Sequence, residues 1–171
     1  MRDKILVLHD LDDESLKEIS FGEELSEETE FTFFAALPKV APCRGCFGCW
    51  VLTPGKCVIN DRGASFTAEM RMHEELIIVS ELILGGYSPA IKAVLDRSIG
   101  YLIPFIHTKD GKSVHNQRIK KDIYVTAAFY GEASPQETAL AERLFSANAL
   151  NLGARSFKSL FFPSPKEIIF S

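Results

Sequence analysis

Long apolar segments are missing from this chain. The longest candidate, residues 76–84, is broken by Glu81 and is far shorter than the roughly 20 apolar residues of a membrane-spanning helix. Near the N-terminus, only residues 5–8 are consecutively apolar before His9, too few for the apolar core of a signal peptide. These absences predict a cytoplasmic protein with no membrane partner.

A concentration of basic residues is also missing. The net charge is -4, and residues 10–30 contain ten acids against the single base Lys17. A nucleic-acid-binding surface would need Lys and Arg gathered in one stripe. The sequence therefore predicts no nucleic acid partner.

Internal repeats, low-complexity tracts and linkers are absent as well. A length of 171 residues suits one domain and is enough to bury a substantial core. The sequence therefore predicts a single domain over residues 1–171.

All four cysteines and the single tryptophan lie in one short segment, residues 42–61. Cys43, Cys46, Cys49 and Cys57 have the spacing C-x2-C-x2-C-x7-C, and Gly45 and Gly48 permit the tight turns that converging ligands need. Such spacing is typical of thiolates that ligate a [4Fe-4S] cluster. Zinc knuckles usually lie further apart, and free thiols remain an alternative, whereas disulfides are disfavoured without a secretory context.

Apolar runs and helical patterns alternate along the chain. Strands are predicted at residues 5–8, 31–36, 76–79, 123–128 and 157–162; helices are predicted at residues 13–20, 65–73, 89–102 and 135–152. A Ser134–Glu137 capping box begins the longest helix, and Gly153 can end it. This alternation predicts an α/β fold whose parallel sheet is covered by helices on both faces, with a missing or rudimentary closing helix.

Ligands of such sheets bind beyond the carboxyl ends of the strands, where the strand order reverses. The loops after the first, third and fourth strands are therefore the predicted binding edge. The cysteine segment 42–61 follows the second strand and would extend from the same edge.

Several motifs together resemble a known family. The cysteine segment with Thr53-Pro54-Gly55-Lys56-Cys57, the run Gly85-Gly86-Tyr87-Ser88-Pro89 with Lys92, and Leu95-Asp96-Arg97-Ser98 are similar to the flavodoxin-like NADPH-dependent FMN reductases, in particular their iron-sulfur flavoprotein branch. The resemblance covers residues 43–118. It implies a flavodoxin-like three-layer sandwich, a five-stranded parallel sheet in the order 2-1-3-4-5, and FMN at the strand ends.

The resemblance also implies site residues and partners. The cofactor-binding candidates are Ser15, Glu81, Leu82, Ile83, Gly85, Gly86, Tyr87, Phe129, Tyr130 and Gly131, and the metal-binding candidates are the four cysteines. NAD(P)H would be the transient donor and a small molecule or redox protein the partner. The family also implies a homodimer or homotetramer.

The loop after the first strand departs from the family. A flavin phosphate needs a loop of Ser, Thr, Gly and backbone N–H groups, and the family has a Gly-Ser-x-Arg-type loop there. This chain instead has His9-Asp10-Leu11-Asp12-Asp13-Glu14-Ser15, which contains four carboxylates. Ser15 is the one residue left in this loop that could donate a hydrogen bond to a phosphate. We therefore expect this loop to repel phosphate.

Two functions follow from these observations. The first is an NAD(P)H-dependent oxidoreductase or electron-transfer flavoprotein that uses FMN and a four-cysteine cluster. The alternative is a flavin-free relative that acts as an electron-transfer or assembly subunit. Outside these sites, we interpret Trp50 as a core residue beneath the cysteine segment, and Asp96 and Arg97 as a surface or interface pair.

Overall fold

A computed structural model describes residues 4–22, 29–109 and 111–170. In chain order, the strands and α-helices of this part are β1 (Lys4–His9), α1 (Asp13–Glu18), β2 (Ser20–Phe21), β3 (Glu30–Ala35), α2 (Gly48–Val51), α3 (Phe66–Met72), β4 (Glu75–Ile83), β5 (Gly86–Tyr87), α4 (Pro89–Arg97), β6 (Leu102–Lys109), β7 (Lys112–Gln117), β8 (Tyr124–Tyr130), α5 (Pro135–Leu152), β9 (Ser156–Phe162) and β10 (Ile169–Phe170). None of the helices within these ranges is long and apolar enough to cross a membrane.

The central sheet has the predicted architecture. Its five long strands run parallel in the order β3-β1-β4-β8-β9, which is the predicted order 2-1-3-4-5. The last five residues of β1 are buried, as expected for a continuous apolar strand that is covered on both faces. The α/β flavodoxin-like fold class is confirmed.

One face of the sheet is covered by helices α3, α4 and α5. Its buried core contains Leu6, Leu8, Ile78 and Val125 from the strands, Phe66 and Met70 from α3, Ile91 and Val94 from α4, and Phe145 and Ala149 from α5. Helix α5 begins at the predicted capping box, and Gly153 ends it with a φ of 78°. The capping signals therefore set the bounds of the longest helix.

The opposite face has a thinner cover. The six-residue helix α1 packs there, and the described C-terminal segment adds a 3-10 helix at Pro165–Glu167 and strand β10 where a closing helix would lie. Strand β10 pairs with β2, and Phe170 stacks on Phe21 with their ring centroids 5.3 Å apart. Phe21 also contacts Phe31 of β3, with 4.5 Å between their ring centroids. Aromatic side chains therefore replace part of a helical layer.

The helix predicted over residues 89–102 is shorter in the structure. Helix α4 ends at Arg97, a 3-10 helix covers Ser98–Tyr101, and Leu102 begins the β6–β7 hairpin. The prediction that Leu102 belongs to the helix is wrong because its backbone is extended, with φ -100° and ψ 169°, and pairs with Gln117 of β7. The strands predicted from the sequence do not include β6 and β7.

Candidate functional site

Asp10 lies at the carboxyl end of β1, at the edge predicted to bind a ligand. The Tyr130 hydroxyl donates a hydrogen bond to Asp10 Oδ1 over 3.0 Å, and the Glu81 backbone N–H donates to Oδ2 over 3.1 Å. Burial, reinforced by the Asp10 carboxylate, raises the pKa of Tyr130, so its hydroxyl remains a donor. A carboxylate of the chain itself therefore joins the ends of β1, β4 and β8.

The beginning of helix α1 also carries a carboxylate of the chain. Asp12 is the N-cap residue, and its Oδ1 accepts a hydrogen bond from the Ser15 backbone N–H over 2.7 Å. This backbone hydrogen bond lowers the pKa of Asp12. Asp13 and Glu14 follow in the first turn. Ser15 was predicted to donate a hydrogen bond to phosphate, but its backbone N–H already donates to the Asp12 carboxylate.

The segment that contains the cofactor-binding candidates Ile83, Gly85 and Gly86 forms a tight hairpin. Strand β4 continues to Ile83, and β5 returns antiparallel to it through Leu84 and Gly85. Both turn residues have positive φ, 50° and 75°, which is the geometry of a type I′ turn. Leu84 is 83% exposed at the tip, whereas Gly85 lies against Leu140 of α5.

The remaining predicted cofactor residues divide between different sites. Leu82, Phe129 and Gly131 line an open groove of about 340 Å³ beside Phe161 and Phe162 of β9. Glu81 and Tyr130 instead contact Asp10, whereas Ser15 lies in helix α1 and contacts Asp12. Tyr87 is buried in the core with its ring centroid 5.3 Å from that of Phe129. The assignment of these positions to one cofactor site remains a prediction.

The four cysteines line one small cavity of about 40 Å³. Cys43 and Cys46 are exposed, Cys49 is buried, and all four are free thiols. Burial, with a smaller contribution from neighbouring Cys57, raises the pKa of Cys49 and favours its thiol form. In the ranges that the structure describes, no group of three or more His, Cys, Asp or Glu is arranged to hold a metal ion. As placed, these side chains do not fit a [4Fe-4S] cluster.

Arg97 fixes the cysteine segment to the end of helix α4. Its guanidinium donates to Asp61 Oδ2 over 2.6 Å, and to the backbone oxygens of Ala41 and Ile59. Its Nε lies 3.4 Å from Cys57 Sγ. Burial opposes the charge of Arg97, but Asp61 and Cys57 outweigh it and raise the pKa of Arg97. The interpretation of Arg97 as a surface residue is wrong because this side chain, 1% exposed, lies inside the loop that it supports.

Trp50 attaches the middle of the same segment to the 3-10 helix after α4. Its indole N–H donates to the Ile99 backbone oxygen over 3.0 Å, and its ring stacks on Phe47 with centroids 5.2 Å apart. Trp50 is half-buried rather than enclosed in the core. Together, Arg97 and Trp50 hold the segment on one side of the sheet while Cys43 and Cys46 remain open to solvent.

The β6–β7 hairpin forms a basic groove of about 900 Å³. His107, Lys109, His115, Arg118, Lys120 and Lys121 line it. The groove thus brings three lysines, two histidines and Arg118 to one surface. The Lys121 ammonium group already donates to the backbone oxygens of Arg71 and His73.

Sequence reasoning missed the roles of Asp10 and Arg97. The sequence places Asp10 in the acidic loop after the first strand, but nothing in the sequence indicates its contact with Tyr130. For Arg97, a usable signal was present: a positively charged residue on the core side of helix α4, close after Ile91 and Val94, requires a buried partner.

Comparisons with known proteins agree with this fold. No family model matches the chain. An iron-sulfur flavoprotein of Methanosarcina thermophila is 31% identical over 81 residues, which is 47% of this chain and 41% of that protein, so the match spans less than half of the relative.

Two solved structures share the fold at low sequence identity. The FMN complex of an FMN-dependent NADH-azoreductase from Bacillus anthracis has a TM-score of 0.54 and 15% identity, over 93% of this chain and 86% of that one. The FMN complex of general stress protein 14 from Treponema denticola has a TM-score of 0.52 and 13% identity, over 94% and 86%. The resemblance to the flavodoxin-like NADPH-dependent FMN reductases and their iron-sulfur flavoprotein branch is therefore confirmed.

Proposed function

We propose that this chain is a redox-related protein with the fold of FMN-binding oxidoreductases that holds no FMN at its own strand ends. It acts as an electron-transfer or assembly subunit beside a flavin-bearing partner. The observation that carries this proposal is the Asp10 carboxylate, which accepts hydrogen bonds from the Glu81 N–H and the Tyr130 hydroxyl at the binding edge.

Electrostatics support the exclusion of a flavin phosphate from this edge. A phosphate monoester carries close to two negative charges at neutral pH. Two like charges 4 Å apart repel by about 4 kcal/mol at a protein surface. Asp10, Asp12, Asp13 and Glu14 gather four carboxylates along this loop, and the Ser15 N–H that could bind phosphate already binds Asp12. The residues present therefore do not fit the phosphate of FMN.

The surface around the cysteines supports a protein partner. Phe47, Val51 and Leu52 are exposed beside the exposed Cys43 and Cys46. Apolar residues gathered at a surface are typical of interaction sites. This surface suits a redox protein or a second copy of the chain, and a homodimer or homotetramer is part of the proposal.

A second candidate function is an NAD(P)H-dependent FMN oxidoreductase. The fold and the local similarity to an iron-sulfur flavoprotein favour it. It would require FMN to bind with its phosphate away from the loop after β1, or residues of another subunit to complete the site. A [4Fe-4S] cluster would require the four cysteines to rearrange around a larger cavity.

Purification under anaerobic conditions separates the two candidates. We expect no flavin absorption bands and no fluorescent FMN after denaturation. An apolar partner surface predicts that a flavin-bearing protein, or a second copy, binds the face that contains Cys43 and Cys46. Stoichiometric FMN in the purified protein would overturn the proposal and support the oxidoreductase.

A variant that changes only charge tests whether repulsion by the carboxylates excludes FMN. Asp10→Asn with Asp12→Asn keeps hydrogen-bond acceptors for Tyr130, Glu81 and Ser15 but removes two charges. We expect FMN affinity, measured by quenching of flavin fluorescence, to rise about tenfold or more, since about 1.4 kcal/mol of relieved repulsion corresponds to tenfold.

The matched control removes two exposed acids elsewhere, by Glu74→Gln with Glu142→Gln. It should leave FMN affinity unchanged. An equal gain in both double variants would mean that net charge, rather than the Asp10 site, limits binding.

A further inference from the structure

The basic groove lies at the end of the sheet opposite to Asp10. Its lining includes residues 120–122, which lead into the first residue of β8, and Leu150 and Gly153 near the end of α5. Asp10 instead contacts Tyr130, the last residue of β8. The groove has a volume of about 900 Å³, within the range of roughly 300–1,000 Å³ that is typical of ligand pockets. It is therefore separate from the predicted binding edge.

Positive charge predominates in the lining of this groove. The lining contains four bases, Lys109, Arg118, Lys120 and Lys121. Among the described residues of the lining, Asp122 is the one acid, and its Oδ2 accepts a hydrogen bond from the Arg155 guanidinium over 2.6 Å. The whole chain, by contrast, has a net charge of -4. A cleft lined by one sign of charge concentrates ions of the opposite sign, so this groove should attract anions.

Several of these cationic groups remain accessible to a ligand. Lys109 and Lys120 are exposed, and neither has a hydrogen-bond or ion-pair partner among the described residues. The half-buried Arg118 donates from Nε to the Gly100 backbone oxygen over 3.1 Å, which orients the guanidinium while its terminal amino groups have no described partner. Only Lys121 is fully engaged, through the backbone oxygens at the end of α3. The groove thus offers a fixed guanidinium beside two mobile ammonium groups.

Two guanidinium groups meet at Gly100 without a counter-ion. Arg71 donates to the same backbone oxygen over 3.4 Å, and neither arginine forms an ion pair with a carboxylate of the described residues. Burial, reinforced by the charge of Arg118, lowers the pKa of Arg71. Like charges this close repel each other. An anion bound to Arg118 on the groove side would relieve this repulsion.

We propose that the basic groove binds a compound that carries a diphosphate group. The planar fork of Arg118 matches two oxygens of one phosphate, and the ammonium groups of Lys109 and Lys120 bind the remaining oxygens as point charges. A single phosphate would leave part of the positive charge of the groove unpaired. The proposal holds whether or not the chain binds FMN at its strand ends.

Isothermal titration calorimetry of the full chain with inorganic anions tests the choice of ligand. We expect pyrophosphate to bind about tenfold or more tightly than inorganic phosphate, because the second phosphate adds hydrogen bonds to charged groups. No binding of pyrophosphate, or phosphate binding that is at least as tight, would overturn the proposal. A titration with ADP distinguishes the two sources of the group: tighter binding than pyrophosphate assigns the groove to organic diphosphates, and weaker binding assigns it to inorganic pyrophosphate.

A pair of double variants tests the location. Lys109→Gln with Lys120→Gln should weaken pyrophosphate binding about tenfold or more, since two charged hydrogen-bond donors are lost. Lys39→Gln with Lys158→Gln is the matched control, because it removes the same charge from exposed lysines outside the lining and should leave the affinity unchanged. Equal weakening in both double variants would show that net charge alone attracts the anion, and would overturn the proposal.

A variant that keeps the charge tests the role of the guanidinium. Arg118→Lys should still weaken pyrophosphate binding about tenfold, because an ammonium group cannot make the paired hydrogen bonds of the fork. Wild-type affinity in a folded Arg118→Lys protein would overturn the assignment of Arg118 to the site. The lysine variants change only exposed side chains, so the location remains testable if Arg118→Lys does not fold.

Discussion

The buried guanidinium of Arg97 shows how one side chain can fix a long irregular segment. Residues 36–47 contain no strand or α-helix, and their backbone polar groups need partners from elsewhere. Arg97 supplies donors to Ala41, Ile59 and Asp61, residues that begin and end the cysteine segment. The planar fork of the guanidinium suits these several acceptors at once.

We expect Arg97→Ala to destabilise the fold by about 3–5 kcal/mol, because it leaves Asp61 without its buried partner. Arg97→Lys should recover only a small part of this loss, since an ammonium group cannot reach all these acceptors at once. Urea denaturation measures both. Lys92→Ala, which removes an exposed ion pair with Asp96 on the same helix, should change stability by less than about 1 kcal/mol. A small effect of Arg97→Ala would contradict the role of this residue.

His9 gives the fold a pH dependence. Its side chain is buried at the end of β1 with Nδ1 unpaired, and burial lowers its pKa below the usual value of 6.5. In the unfolded chain His9 binds a proton near pH 6.5, whereas in the folded chain it binds that proton only at lower pH. The free energy of unfolding therefore falls as the pH drops below about 6.5. The loss is at most about 1.4 kcal/mol per pH unit.

Denaturant titrations at several pH values check this prediction. His9→Leu should lose that part of the pH dependence, whereas His107→Leu, on an exposed stretch of β6, should keep the wild-type profile. Identical profiles for all three proteins would show that His9 does not titrate on unfolding.

Sequence reasoning located the carboxylates of the candidate site but not their contacts. The acidic loop after β1 could be identified because the loop position follows from the apolar run before it. The hydrogen bond from Tyr130 to Asp10 joins residues 120 positions apart, and no local pattern encodes such a pairing. The same applies to Arg97 and Asp61, which meet only after α4 packs on the sheet.

At the scale of elements, the β4–β5 hairpin is the clearest departure from the expected loop. Type I′ turns favour Asn or Gly at the first central position, and Leu84 occupies it here. The Gly85-Gly86 pair indicated a turn, but the leucine concealed its type. Strong capping signals, by contrast, made α4 and α5 predictable at their N-termini.

The strained turn gives a prediction for Leu84. Leu84→Asn should stabilise the protein by about 1 kcal/mol, because asparagine tolerates the left-handed conformation that costs leucine roughly 1–2 kcal/mol. Leu52→Asn is the matched control, since Leu52 is 76% exposed but has a φ of -97°. Thermal unfolding of both variants checks the difference, and an equal shift in both would attribute the gain to polarity alone.

Across the whole molecule, the sheet order could be predicted because long apolar strands and intervening helices leave few alternatives. The unequal cover of the two faces could be predicted only in part. Within the described residues, a 3-10 helix and β10 follow β9. The pairing of β10 with β2 depends on two-residue strands, which no periodicity can identify.

The aromatic side chains that cover the sheet face beneath α1 and β10 should contribute several kcal/mol to the free energy of unfolding. Phe170→Ala removes a buried ring that stacks on Phe21 and should cost about 3–5 kcal/mol. Phe157→Ala, on the exposed edge strand β9, should cost clearly less because that ring is 40% exposed. Guanidinium denaturation of both variants measures the difference, and similar losses would contradict the closing role of β10.

The pairing of β2 with β10 has a consequence for synthesis on the ribosome. Phe21 and Phe31 leave the exit tunnel early, whereas Ile168 and Phe170, which shield them, emerge only after all five strands of the sheet. A nascent chain that stops short of residue 168 therefore exposes the rings of Phe21 and Phe31 that Ile168 and Phe170 cover in the complete fold.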